Sequence, residues 1–316
     1  HQVIPAIMAG CPVLVKPARK TPISCHNLVE ILHQAGLPIE WCQMVICDRQ
    51  VTEKVVSDAR TAFLSFIGSE EVGWKLRSLL AQGATCALEH GGVAPVIIEK
   101  SGDWERAVPL LVKGGFYHAG QVCVSVQRIF IDQEIAQPFI QQMVAATAPL
   151  KVGDPALVET EVGPLVTSGE LERVDQWVKE AIASGGELLC GGEVIGKSCY
   201  APTIILNPSP DCQLSTEEVF GPVIAIYTYC DLQEAVVMAN SLNFSFQAAV
   251  FTRDLDWSWK LFDQLDATAV MVNDHTAFRV DWMPFGGGQR SGLGVGGIGP
   301  SMREMSVEKM VVFNNS

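Results

Sequence analysis

Two side chains are notable for the chemistry that their types allow. Glu89 lies in the segment Leu88–Gly92, and Cys123 lies thirty-four residues later, at the end of the segment Gly120–Cys123. A cysteine thiolate is a nucleophile toward carbonyl carbon, and a carboxylate with a raised pKa can take a proton from water. The plainer alternatives are a buried, inert thiol and a solvated carboxylate at a strand edge. Other segments must therefore decide whether the pair is catalytic.

A turn near residue 68 is a candidate phosphate site. The residues Phe66-Ile67-Gly68-Ser69 lie between a strand-like run and a helical one. Gly68 permits a tight turn, and Ser69 can either cap the helix or donate its hydroxyl and backbone N–H to a phosphate. Taken alone, the segment is an ordinary strand-turn-helix with a serine cap.

A second glycine-rich segment matches the dinucleotide spacing GxGxxG at Gly292, Gly294 and Gly297. No strand-like run precedes it, and Gly299-Pro300 follows where a helix should begin. Because the motif needs a helix N-terminus to receive the pyrophosphate, we interpret this segment as a flexible glycine loop.

Six segments together resemble the aldehyde dehydrogenase superfamily, in the family's order and spacing and over essentially all 316 residues. They are Lys16-Pro17, Phe66–Ser69, Leu88–Gly92, Gly120–Cys123, Glu217–Pro222, and Asn273 followed by Pro284–Gly287. Any one of these motifs is weak evidence, but their joint match is specific. The resemblance implies an NAD(P)-dependent enzyme that assembles as a homodimer or homotetramer.

The resemblance also implies a reaction. The Cys123 thiolate adds to the aldehyde, the adduct passes a hydride to NAD or NADP, and water hydrolyses the thioester, with Glu89 as general base. The backbone N–H of Cys123 is the expected donor to the oxyanion. Because relatives that acylate coenzyme A lack this base, the expected product is a free carboxylic acid. The alternative is a catalytically silent relative with a structural or interaction role, which would have little reason to keep Cys123, Glu89 and Glu218 together. A redox-sensing thiol would need a resolving cysteine, which the sequence neighbours of Cys123 do not offer.

By the same resemblance, five residues are expected to bind the cofactor. Glu218 matches the residue that holds the nicotinamide ribose, Phe220 the residue near the nicotinamide ring, and Lys16 the lysine that reaches the adenosine ribose. Gly68 and Ser69 form the phosphate turn. For these side chains a surface salt bridge or a core aromatic is the alternative.

Arg19 predicts the choice between the two cofactors. Members that prefer NAD commonly have a glutamate three residues after the lysine matched by Lys16, and here that residue is Arg19. A guanidinium can bind a 2′-phosphate with two hydrogen bonds, so we expect NADP to be used at least as well as NAD. A surface arginine that points into water is the alternative.

The segment 272–285, together with 123–128 and 247–251, bears on the substrate, because these segments resemble the subgroup that oxidises small polar aldehydes. That subgroup includes lactaldehyde, phosphonoacetaldehyde and non-phosphorylating glyceraldehyde-3-phosphate dehydrogenases. Arg279 is the candidate clamp for an anionic group at the far end of a short aldehyde, and pairing with Asp281 is the alternative. Tyr117 and Phe285 are the other candidate substrate residues.

The sequence departs from the family at several positions. Val93 stands where most members have lysine and Ile67 where they have threonine, and neither change removes a catalytic group. His118 stands where asparagine is common, and a tolerated pocket or packing histidine is favoured over a catalytic role. The segment with the asparagine that completes the oxyanion hole would lie before His1. Roughly the first third of a usual member, including a hairpin used in oligomerisation, is expected to be outside this sequence.

The surrounding elements predict an α/β protein with two domains. Strand-like and helical runs alternate over the first ninety residues, which indicates a doubly wound parallel sheet. Further βα patterns indicate a second α/β domain that holds Cys123 at a helix-to-strand junction. We predict the C-terminal part of the NAD(P)-binding domain at 1–90, a catalytic domain at 91–295, and a tail with an oligomerisation strand at 296–316.

Several local signals predict where particular elements begin and end. Thr21 with Pro22 should begin a helix that Gly36 ends, and Asp103 should cap a helix that runs toward Tyr117. The range 168–183 should form a helix with Leu171, Val174, Trp177 and Ile182 on one face. Asp231 with Glu234 should form a capping box, and 307–313 should be a β-prone edge that pairs with another subunit.

Composition excludes several classes of protein. A formal net charge of −13 argues against nucleic acid as a partner. Ten cysteines without a CxxC spacing indicate neither a disulfide framework nor a metal site, which is typical of free thiols in the cytoplasm. No apolar run approaches the ~20 residues of a membrane span. The first ten residues lack an initiating Met and a basic region, so they resemble a chain in progress rather than a signal peptide.

Overall fold

A computed structural model describes residues 1–314. Its chain forms two compact units. The first unit contains His1–His90, Arg279–Gly286 and residues from Gly292 onward, and the second contains Gly91–Phe278 and Gly287–Ser291. Arg279–Gly286 therefore belongs to the first unit, although it falls within the predicted range 91–295.

The helices and strands are numbered along the chain. The helices are α1 (Val3–Met8), α2 (Ile23–Gln34), α3 (Arg49–Ser57), α4 (Glu70–Ser78), α5 (Trp104–Phe116), α6 (Gln133–Thr147), α7 (Ser168–Ala183), α8 (Gln213–Thr216), α9 (Leu232–Ala239), α10 (Leu255–Gln264) and α11 (Ile298–Glu304). The strands are β1 (Val13–Val15), β2 (Cys42–Met44), β3 (Phe63–Ile67), β4 (Thr85–Glu89), β5 (Pro95–Ile98), β6 (Arg128–Asp132), β7 (Glu187–Cys190), β8 (Val194–Ile195), β9 (Cys199–Tyr200), β10 (Thr203–Leu206), β11 (Val223–Tyr229), β12 (Phe244–Ser245), β13 (Gln247–Phe251), β14 (Ala269–Val272), β15 (Gly288–Gln289) and β16 (Gly292–Leu293). Short 3₁₀ turns lie at Ile39–Trp41 and Tyr117–Gly120.

The first unit contains two parallel strand pairs, β1 with β2 and β3 with β4. The parallel pairing predicted for the first ninety residues is confirmed, and within this unit the pairs lie in two separate small sheets. Strand β16 adds to β4 in the antiparallel direction and places Gly292 opposite Glu89. This register brings the glycine loop after β16 to the strand that ends with Glu89.

The second unit is organised by a seven-stranded sheet in the order β14-β13-β5-β6-β11-β10-β7. All neighbours pair in parallel except β7, which is antiparallel to β10. The central strands are continuous apolar runs and are buried, as expected for a parallel sheet whose two faces are covered. The predicted second α/β domain is therefore confirmed.

Several helix predictions for this unit are confirmed, with two corrections. Asp103 accepts a hydrogen bond at the start of α5, and α7 has the predicted bounds. On α7, however, Ile182 is 36% exposed, because the buried stripe continues through Val178 and Ala181 instead. Asp231 caps α9 through the backbone N–H of Gln233, so the cap does not depend on the predicted box with Glu234.

Three predictions for the first unit need correction or remain open. Helix α2 begins at Ile23, one residue later than predicted, although Pro22 before it already has helical backbone angles. The glycine loop leads into a helix, α11, contrary to the prediction. Pro300 does not prevent this helix, because it lies in the first turn, where a missing N–H costs no hydrogen bond. Residues 306–314 form neither helix nor strand, so strand pairing of this segment remains a prediction, and positions 315 and 316 lie outside the described residues.

No helix within residues 1–314 is both long and apolar enough to cross a membrane.

Candidate active site

Cys123 lies on a loop between α5 and β6 in the second unit, at the predicted junction. After α5, the backbone enters the left-handed region at His118 (φ 50°), Ala119 (φ 55°) and Gly120 (φ 68°). Two of these residues are not glycine, so the turn is strained and must be held by its surroundings. Gly120 packs directly against the carbonyl of Gly221, which leaves no room for a side chain. The Cys123 side chain itself is half-buried.

Hydrogen bonds from three side chains hold the loop around Cys123. The Gln121 amide accepts from the backbone N–H of Val166 at 2.9 Å and donates to the carbonyl oxygens of His118 and Pro164, both at 3.2 Å. The hydroxyl of Thr276, which is fully buried, donates to the carbonyl of Val124 at 2.7 Å. Ser125 donates to the end of α5. The residues on both sides of the nucleophile candidate are therefore fixed.

Tyr117, a candidate substrate residue, is the C-cap residue of α5. Burial raises the pKa of the Tyr117 hydroxyl, and the charge of Cys123 raises that pKa further. Tyr117 begins the turn Tyr117–Gly120 that leads to Cys123 in the second unit. Because its pKa is raised, the phenol is neutral near pH 7 and able to donate a hydrogen bond.

The adjacent glutamates Glu217 and Glu218 have different surroundings. Glu217 pairs with Arg290 at 2.8 Å. Glu218 turns toward Gly91 and Gly92, where its carboxylate accepts the backbone N–H of Gly92 at 3.2 Å and packs on the α-carbon of Gly91. The carboxylate of Glu218 thus lies against two glycines, and their lack of side chains leaves the room that it occupies.

Phe220 lies two residues after Glu218 and has a left-handed backbone, with φ 45°. Its ring is 37% exposed. A small cavity beside it is lined by Gly92, Gly120, Val122, Gln127, Glu218 and Phe220. The second unit therefore brings together the Cys123 loop and both residues predicted to bind the nicotinamide end of a cofactor.

Glu89 ends β4 in the first unit. Its carbonyl accepts the backbone N–H of Gly68 at 3.1 Å, and its carboxylate packs against Gly296 of the glycine loop. Burial raises the pKa of the Glu89 carboxyl, while the cation of Arg279 partly offsets that effect. A carboxyl with a raised pKa is suited to accept a proton near neutral pH.

Arg279 also lies in the first unit, where its guanidinium stacks on the ring of Phe285 at 4.0 Å from the ring centroid. A terminal nitrogen of the guanidinium contacts the imidazole of His1, and the charge of Arg279 acts on Glu89. The structure therefore brings together three predicted site residues, Glu89, Arg279 and Phe285.

The remaining cofactor candidates follow two strands of the first unit. Lys16 and Arg19 lie on an exposed segment after β1. Gly68 has a φ of 156°, and Ser69 is the N-cap residue of α4 with an extended backbone. In the described chain the Ser69 hydroxyl makes no capping hydrogen bond, and the N-terminus of an α-helix is a general site for an anion such as a pyrophosphate. The turn fits the phosphate role that its sequence predicts.

Within residues 1–314, no group of three or more His, Cys, Asp or Glu side chains is arranged to hold a metal ion.

In the second unit the cysteine loop leads into a mostly parallel seven-stranded sheet, and comparison with known proteins identifies the class to which this fold belongs. The aldehyde dehydrogenase family model matches residues 1–311, and the chain belongs to that family.

Two curated relatives and one crystal structure illustrate the similarity. The chain is 36% identical over 315 residues to a 3-sulfolactaldehyde dehydrogenase of Priestia aryabhattai, covering 99% of this chain and 66% of that protein. It is 37% identical to a lactaldehyde dehydrogenase of Methanocaldococcus jannaschii, with 99% and 68% covered. The crystal structure of glyceraldehyde-3-phosphate dehydrogenase from that organism, complexed with NADP, superposes with a TM-score of 0.92 at 37% identity, covering 96% of this chain and 67% of the other. The chain thus spans about two thirds of the length of its relatives.

Sequence reasoning missed two residues that contact the site. Gln127 and Arg173 bind the backbone on either side of Glu218 and Phe220. The available signal for Gln127 was a polar residue inside the apolar run that leads into β6. Arg173 gave no signal, because an arginine on an amphipathic helix ordinarily faces water.

Proposed function

We propose that the whole protein oxidises an aldehyde to the carboxylic acid with NAD or NADP, through a covalent intermediate on Cys123. The observation that carries the proposal is the loop of Cys123, which is strained, held by buried hydrogen bonds and in direct contact with Gly221 near the Glu218 carboxylate. Strain of this kind persists where the surrounding structure fixes it, and it clusters at functional sites.

In the first half-reaction, the thiolate of Cys123 attacks the carbonyl carbon of the aldehyde, and the backbone N–H of Cys123 donates to the oxygen that becomes negative. Tyr117, whose phenol stays neutral because burial raises its pKa, would donate a hydrogen bond to bound substrate. Glu218 and Phe220 would hold the nicotinamide of bound NAD or NADP, which would supply the hydride acceptor. Loss of hydride from the adduct leaves a thioester on Cys123.

In the second half-reaction, Glu89 takes a proton from water, and the resulting hydroxide attacks the thioester carbon and releases the Cys123 thiolate. The proposal is supported by the burial that raises the pKa of the Glu89 carboxyl. Because Glu89 returns the proton to solvent, the cycle yields a free acid and the enzyme in its starting state.

For the cofactor, we propose that NADP is used at least as well as NAD. Arg19 lies exposed three residues after Lys16, where it is free of burial and able to approach a 2′-phosphate. The relative crystallised with NADP gives further support.

For the substrate, we propose a small aldehyde that carries an anion at its far end, bound by Arg279. Stacking on Phe285 restrains the guanidinium, so less side-chain entropy is lost when an anion binds. Two of the similar proteins are named for anionic aldehydes, a sulfolactaldehyde and glyceraldehyde-3-phosphate.

For the assembly and location, we propose a homodimer or homotetramer in the cytoplasm. Val307, Val311 and Phe313 are 70–93% exposed on a segment that forms no helix or strand, which suits pairing with another subunit. All ten cysteines lie within the described residues and are free thiols, as is usual in a reducing compartment.

Rapid mixing of the whole protein with an aldehyde panel tests the proposal. A burst of NADPH or NADH equal to the number of Cys123 sites, followed by a slower steady rate, is expected because hydride transfer precedes hydrolysis. Cys123→Ala should abolish the burst and leave NADP binding nearly intact. A protein that binds the cofactor but releases no reduced nicotinamide from any aldehyde would be a silent relative.

A further inference from the structure

We propose that Gln127 and Arg173 are positioning residues for the cofactor, because they clamp the loop Glu217–Gly221 from two sides. The inference rests on the proposed function, in which Glu218 and Phe220 hold the nicotinamide end of the cofactor. Neither Gln127 nor Arg173 needs to touch the cofactor for this role.

Gln127 is 5% exposed and lies four residues after Cys123. Its amide nitrogen donates to the carbonyl of Glu217 at 2.7 Å and to that of Leu214 at 3.4 Å. Its amide oxygen accepts the backbone N–H of Val219 at 3.0 Å. The bonds to the Glu217 carbonyl and the Val219 N–H are the pair that a neighbouring strand would make, and here one side chain makes both. They lie on either side of Glu218.

Arg173 reaches the same loop from α7. Its guanidinium donates to the carbonyl of Val219 at 2.8 Å. The guanidinium is oriented by an ion pair with Glu170 at 2.7 Å and by the ring of Trp177, whose centroid lies 4.5 Å away. Both backbone polar groups of Val219 are thus bound by side chains, one by Gln127 and the other by Arg173.

The clamp explains how Phe220 keeps a left-handed backbone, with φ 45°. A non-glycine residue in this region is costly and persists only when its neighbours fix it. Val219, the residue before Phe220, is fixed by the clamp, and Gly221, the residue after it, packs on Gly120 and on Val174 of α7. Loss of the clamp would release the strain, and Glu218 and Phe220 would move together.

Gln127 also links Cys123 to the loop Glu217–Gly221, because it binds that loop and follows Cys123 closely in the sequence. A change in the clamp should therefore alter where the cofactor sits relative to the thiol, while the thiol itself stays in place. Gln121, Ser125 and Thr276 hold the loop around Cys123 independently of Gln127. The expected signature is a defect in cofactor binding and hydride transfer without a defect in thiol reactivity.

The test compares Gln127→Met and Arg173→Met with two matched controls in the whole protein. Gln142→Met changes an exposed glutamine on α6, and Lys179→Met changes an exposed cation on α7. For each variant, NADP affinity is measured by quenching of tryptophan fluorescence, and Cys123 reactivity by the rate of alkylation with iodoacetamide. The deuterium isotope effect with a 1-deuterated aldehyde reports hydride transfer.

We expect Gln127→Met to weaken NADP binding about tenfold, as for net loss of one buried hydrogen bond, and Arg173→Met to weaken it less. The isotope effect should rise in both variants, while the alkylation rate and both controls match the wild type. Folded variants that bind NADP like the wild type, or that lose alkylation rate in step with affinity, would overturn the inference. If Gln127→Met does not fold, Arg173→Met decides the matter. If the wild type oxidises no aldehyde, the proposed function fails, but the ratios of NADP affinity still decide this inference.

Discussion

Gly91→Ala should displace the Glu218 carboxylate and thereby weaken cofactor binding. A β-carbon at Gly91 would overlap both oxygens and Cδ of that carboxylate. Since real β-carbons keep about 3 Å from other heavy atoms, the carboxylate must retreat by about 1 Å. The retreat breaks its 3.2 Å hydrogen bond with the N–H of Gly92.

Two estimates of the size of this effect agree. Loss of a hydrogen bond to a charged group costs about 1.5–3 kcal/mol. Misplacement of a positioning group by about 1 Å costs about 100-fold in rate, which is about 2.7 kcal/mol. We therefore expect kcat/KM for NADP to fall between about tenfold and 100-fold. The melting temperature should change little, because the carboxylate is at the free end of a flexible side chain.

Steady-state kinetics with NADP varied at saturating aldehyde measure the effect. Gly169→Ala is the matched control, because its new β-carbon would meet only the Thr167 hydroxyl at an ordinary 3.8 Å. A Gly91→Ala protein with wild-type kcat/KM for NADP would refute the reasoning, since it would mean that the position of Glu218 does not matter to the cofactor.

Three further substitutions test other residues of the site. Glu89→Gln should keep the burst of reduced cofactor but slow the steady rate about 100-fold. Burial raises the pKa of Glu89, and a general base must be deprotonated, so the wild-type steady rate should rise with pH through that pKa. A variant whose pH profile keeps the same rising limb would contradict this role of Glu89. Arg279→Ala should lose about 2 kcal/mol of kcat/KM, roughly thirtyfold, for an anionic aldehyde and little for a neutral one of equal length. Equal losses on both substrates would make Arg279 structural. Arg19→Glu should shift the ratio of kcat/KM values from NADP toward NAD, and an unchanged ratio would end the 2′-phosphate proposal.

The elements with a strong local signal were predictable from the sequence. Strand β4 (Thr85–Glu89) is one of the strand-like runs predicted in the first ninety residues, and the glycines Gly91 and Gly92 follow it closely. Helix α7 has its predicted bounds, because its apolar positions repeat with the helical period and Thr167 caps it. The position of Cys123 at the junction followed from the same kind of signal.

What the sequence could not predict depends on contacts between distant segments. The left-handed turn carries only one glycine, Gly120, and nothing about His118 or Ala119 indicates a positive φ. Helix α11 was missed because Pro300 was interpreted as a helix breaker, although a proline is tolerated in a first turn. The partners of Gln127 lie about ninety residues along the chain, beyond any local pattern. The different surroundings of the adjacent residues Glu217 and Glu218 likewise depend on a distant residue, Arg290, which pairs with Glu217.

The contact between Gly120 and Gly221 restricts how this protein can change over generations. A mutation that adds a side chain at codon 120 would strike a main-chain carbonyl, which every amino acid at codon 221 would also present. No second mutation at codon 221 can therefore rescue the first, so the two positions offer no compensatory route. A library built to broaden the range of aldehydes should leave codon 120 invariant and vary Tyr117 or Phe285 instead.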